Sequence, residues 1–136
     1  MFFEKKKDED LSGDLAKVAA LLIHAAKIDE NFSKKEEKII KQTLIKIGAN
    51  KEKIDEIFTA GKKIEKNSNQ ILEFTKEVKS MNENNKIKIL EALWRIIYSN
   101  DIADIYEMSL MRRLGGLLYI DSKIMGDIKE QIKKEN

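Results

Sequence analysis

The chain contains no proline in 136 residues, and its apolar residues recur three and four apart from Leu15 to Ile132. Proline is the residue that most reliably interrupts a helix, and three-four spacing puts apolar side chains on one helical face. No stretch alternates with a period of two between turn signals, as a half-buried strand would. The fold class is therefore all-α, as a single domain of about seven helices. At this length a chain buries roughly 68% of its unfolded surface and needs no covalent staple. The absence of cysteine fits that, and it excludes thiol catalysis and cysteine-ligated metal.

Charged residues make up 37% of the chain, yet they cancel to +2. No basic field of the kind that binds nucleic acid is present. The longest apolar run, Val18–Ile23, is far shorter than the roughly 20 residues of a membrane span. The start, MFFEKKKDED, lacks the apolar centre of a signal peptide, so the expected location is cytoplasmic. Residues 1–10 read as a charged, disordered tail and 11–133 as the helical domain. The Met1-Phe2-Phe3 stretch before three lysines leaves weak peripheral membrane association open.

The first helix, from about Leu11 or Asp14 to Ile28, is apolar on nearly every side, with only Lys17, His24 and Lys27 interrupting. Such a helix is expected to be enclosed by others. Ser33 with Glu36 forms a capping-box pattern for a second helix that stops near Gly48. Asn50 and Ser68 can cap a third and a fourth. The polar run Ser80–Asn85 separates two halves. The fifth helix, Asn85–Ser99, is again apolar over most of its circumference and is expected to pair with the first at the centre. Asp104 with Glu107 opens a sixth helix, and Asp121 a seventh. Gly115-Gly116 within the sixth should cost about 2 kcal/mol of helix propensity, implying a close helix contact or a break.

The second half follows the first at a shift of 71 positions. Leu22 maps to Leu93, Ser33 to Asp104, Glu36 to Glu107 and Asn50 to Asp121, so caps fall on caps and core on core. The reading is an internal duplication. Its first corner, Asp29-Glu30-Asn31-Phe32-Ser33, carries oxygen donors at alternate positions, followed by Glu36 and Glu37. Hard cations such as Ca²⁺ or Mg²⁺ take such ligands. An EF-hand is excluded, because Lys34 and Ile40 stand where its glycine and bidentate glutamate belong. On residue chemistry alone, caps and a turn explain the corner better than a metal site does. The second corner, Asn100 to Asp104, is poorer in ligands. His24 is the only histidine and has no partner placed by sequence, so an enzyme is not expected.

Both corners resemble the tellurite-resistance TerB-like family of small helical domains. That family's signature is an apolar helix leading into an Ala-x-Ala-Asp-Gly corner, with a glutamate early in the next helix. Here the first copy runs from Ala26 through Asp29 and Ser33 to Glu36, and the second from Leu93-Trp94 through Asn100-Asp101 to Glu107. The likeness covers roughly Leu11 to Ile132. The corner glycine is Glu30 and Asp101 in this chain, and the second corner aspartate is Asn100. The resemblance implies a non-enzymatic stress-response or interaction domain with a protein partner. It also implies a divalent cation at Asp29 and Glu36, and more weakly at Glu107. Arg95 could instead neutralise an acid of the first half across the core.

Overall fold

The computed structural model describes the backbone of residues 2–27, 33–68, 72–99 and 105–135, and the side chains within those spans except at 2–12, 72–73 and 105–106. Seven α-helices and one 3₁₀ turn account for nearly all of it, and there is no strand among the described residues. They are α1 (Phe2–Ala26), α2 (Lys34–Lys46), the turn Lys51–Lys53, α3 (Ile54–Lys66), α4 (Leu72–Lys79), α5 (Glu83–Tyr98), α6 (Ile105–Leu117) and α7 (Ser122–Glu135).

From Leu15 to Ala26 every α1 residue except Lys17 and His24 is buried. The helix reaches α2, α3, α4 and α5, which is why it can be apolar all round. Helical backbone also runs through residues 2–10, where composition suggests a tail. FFEKKKDED holds neither proline nor glycine, so nothing in it breaks a helix. α5 contacts α1 as expected, but its widest contact is with α7, and that of α1 is with α3.

The α1–α3 crossing is close because small residues face one another. A Cβ added at Gly61 of α3 would lie 2.6 Å from the Ala19 Cβ and 3.0 Å from the Ala16 carbonyl oxygen. Gly115 plays a milder version of the role in α6, where a Cβ would come 3.2 Å from Met125 Cγ of α7. Gly115 of the glycine pair therefore marks a close contact, and α6 continues through both residues.

The 71-residue shift recurs in backbone detail. The span of α2 moved by that amount is the span of α6. Both helices end on the same pair of bonds: Gly48 N–H to Ile45 O and Ala49 N–H to Leu44 O, against Tyr119 N–H to Gly116 O and Ile120 N–H to Gly115 O. This is the Schellman ending, with a left-handed residue just past the helix. Gly48 has φ 121° and Tyr119 φ 57°. Next, the Asn50 side chain accepts from Glu52 N–H, and that of Asp121 accepts from Lys123 N–H. One correction concerns α5, which starts at Glu83 because the Asn82 side chain caps it by accepting from Asn85 N–H at 2.8 Å. The cap expected at Asp104 lies outside the described residues, as do residues 69–71 between Ser68, expected to cap the fourth helix, and the start of α4.

Candidate functional site

The acidic corner is built by the start of α2. Ser33 is extended (φ −98°, ψ 164°), which turns its side chain back over the first helical turn. Its Oγ accepts from Glu36 N–H at 3.2 Å, and Glu36 Oε1 accepts from Ser33 N–H at 3.0 Å, completing the capping box. The Ser33 hydroxyl also donates to Glu36 Oε1 at 3.0 Å. Glu36 is 0% exposed.

Its counterpart Glu107, also third in its helix, is 3% exposed. Among the described residues these two are the only buried carboxylates. Taking a carboxylate out of water costs several kcal/mol unless hydrogen bonds, helix N-termini or cations compensate. For Glu36 the capping box and the positive end of α2 supply part of that compensation. A cation bound at Oε1 would compete with the two Ser33 bonds.

Asp29, the remaining expected ligand, lies outside the described residues, as do Asn31 and the second corner from Asn100 to Asp104. Among the described residues no group of three or more His, Asp or Glu side chains is disposed to hold a metal ion.

Two neighbouring clusters show what sequence could not. His24 Nδ1 lies 3.4 Å from Glu65 Oε1, so the histidine has an acid partner 41 residues away on α3. Lys27 Nζ holds the other Glu65 oxygen at 2.9 Å. In the second half Arg95 pairs with both oxygens of Glu135 at 3.0 Å and with Glu91 at 3.4 Å. Arg95 thus ties α5 to α7 within its own half, and the expected reach to an acid of the first half is corrected. The hydrogen bond with Arg95 holds the Glu135 carboxyl below its usual range and raises the guanidinium, although burial works against both.

The family model described as tellurite resistance protein TerB matches residues 15–130, from Leu15, the first buried residue of α1 among those described, into α7. The chain belongs to the TerB family. The matched span takes in both corners and both buried glutamates of this TerB domain. Comparison with curated proteins and with solved structures gives no match. No helix among the described residues is long and apolar enough to cross a membrane.

Proposed function

We propose that this TerB-family chain is a non-enzymatic stress-response and interaction module that takes up a divalent cation, Ca²⁺ or Mg²⁺, at Asp29 and Glu36. Glu107 is the weaker equivalent in the second half. The observation supporting the reading is the burial of Glu36 and Glu107 at matching positions, third in α2 and third in α6. Buried acids beside an acid-rich corner are a common way to hold a hard cation. The module works in the cytoplasm on a protein partner, with tellurite stress as one setting.

Calorimetric titration with Ca²⁺, Mg²⁺, Mn²⁺ and Zn²⁺ tests this. Binding at or below about 1 mM is expected for Ca²⁺ or Mg²⁺. It should be lost in Asp29→Ala and in Glu36→Gln, which keeps a cap acceptor but removes the charge. No binding by the wild-type chain at that concentration rules the cation out.

A second reading, a purely structural adaptor, is favoured by the completed capping box, which already gives Glu36 Oε1 a task. A partner captured through this domain would then keep its affinity in Asp29→Asn. For His24, the Glu65 carboxylate shared with Lys27 supports a tie between α1 and α3, not catalysis.

A further inference from the structure

A set of differences between the two halves falls around a cavity of about 370 Å³ in the second. At matching positions on the two half-domains, Leu44 stands where Gly115 does, Asp55 where Gly126 does, and Phe58 where Lys129 does. Leu44 and Phe58 are buried and fill space in the first half. Gly115, Gly126 and Lys129 line the cavity in the second. Two large apolar side chains and an acid have thus been replaced by two glycines and a cation.

The exchange also strips a cation of its partners. Lys41 sits 2.9 Å from Asp55, 3.9 Å from Glu37 and 5.1 Å over the Phe58 ring. Arg112 occupies the matching position in α6, where the three partners have become Gly126, Met108 and Lys129. Arg112 is exposed, and among the described residues it makes no ion pair and no acidic side chain lines the cavity. Among the described residues, two cations, Arg112 and Lys129, therefore share one apolar cavity without a counter-charge.

A third observation comes from the wall. Trp94 is 3% exposed, and its Nε1 is buried without a hydrogen-bond partner among the described residues. A buried indole N–H normally finds an acceptor. Lys129 Nζ lies 5.8 Å from the centre of this ring, within cation–π reach, so the cation is held at the same wall. Met108, Met111 and Met125 supply a deformable apolar lining. The volume falls within the range of small-molecule sites.

We propose that this cavity binds a small amphipathic monocarboxylate, a short fatty acid or an arylalkanoate, with its carboxylate toward Arg112, Lys129 and the Trp94 indole and its apolar body among the methionines. Inorganic phosphate alone would leave the methionine lining unfilled, and a neutral lipid would bring the two cations no counter-charge. The site is independent of the acidic corners.

Trp94 is the only tryptophan, so intrinsic fluorescence reports on the cavity directly. The wild-type chain is titrated with octanoate and, separately, with octanol. The expected result is a saturable fluorescence change for octanoate with a Kd below about 1 mM, and at least about tenfold weaker binding of octanol. Arg112→Gln, and Gly126→Asp, which restores the acid of the first half, should each weaken octanoate by about tenfold and leave octanol unmoved. Both positions are exposed, so folding is retained and circular dichroism checks it. Absence of a saturable response to octanoate, equal affinity for octanol, or unchanged octanoate affinity in Arg112→Gln would each overturn the proposal.

Discussion

Replacing Gly61 by alanine should destabilise this domain even though alanine is the better helix former. In an open helix interior the exchange gains about 1 kcal/mol. At Gly61 the new Cβ would sit 2.6 Å from Ala19 Cβ, 3.0 Å from Ala16 O and 3.2 Å from Ala20 N. None of these atoms is the far end of a flexible side chain. Relief requires moving α1 against α3, the widest helix contact in the fold. Overpacking of this kind typically costs 1–3 kcal/mol, and the tightness here argues for the upper half of that range. The net loss should be about 1–2 kcal/mol, a fall in Tm of roughly 3–8 °C for a chain of this size. Gly126→Ala is the internal control, because a Cβ there meets nothing within 4 Å. It should gain up to about 1 kcal/mol. Urea and thermal unfolding followed by circular dichroism measure both variants. A Gly61→Ala protein as stable as the wild type, with Gly126→Ala stabilised as expected, would refute the close crossing. Adding Ala19→Gly to Gly61→Ala should recover part of the loss, because the two sites couple through direct contact.

Two further outcomes follow from the caps and ion pairs. Glu135→Gln should cost about 0.5–1 kcal/mol at neutral pH, because two bonds to Arg95 place it at the upper end for a surface pair while screening of the 44% exposed side chain keeps it from exceeding that. Its folded pKa lies below the unfolded value near 4.5, so the contribution is present above that value and fades as pH falls through the folded one. Urea midpoints of wild type and variant should converge in acid, and persistence of the gap would contradict the pairing. Gly48→Ala should lose about 1–2 kcal/mol in the same unfolding assay, since φ 121° strains any residue with a Cβ. A neutral effect would mean that α2 does not end on this left-handed residue.

Much of the fold was legible in the chain itself. The spacing of Leu15, Val18, Ala19 and Leu22, uninterrupted by proline, requires helices, and the apolar circumference of α1 requires it to be enclosed. Ser33 with Glu36, Gly48 and Asn50 announce their caps because capping is a local bargain between a side chain and backbone two or three residues away. The start of α5 was misread by two residues because Asn82 is one of several asparagines able to cap there. The two glutamates of the candidate site were legible as corner acids, but their burial was not. Burial depends on which helices close over a position.

The same division holds across the molecule. Sequence by itself determined helical class, the cap at Ser33 and the stop at Gly48, the 71-residue correspondence and family membership, because each is written in periods and spacings along the chain. Tertiary structure alone decided that Gly61 meets Ala19, that His24 finds Glu65, and that Arg95 serves Glu135 within its own half. It alone turned Gly115, Gly126 and Lys129 into the walls of a cavity beside Trp94. These are contacts between residues up to about 40 positions apart, fixed by how helices cross, and no local period encodes a crossing.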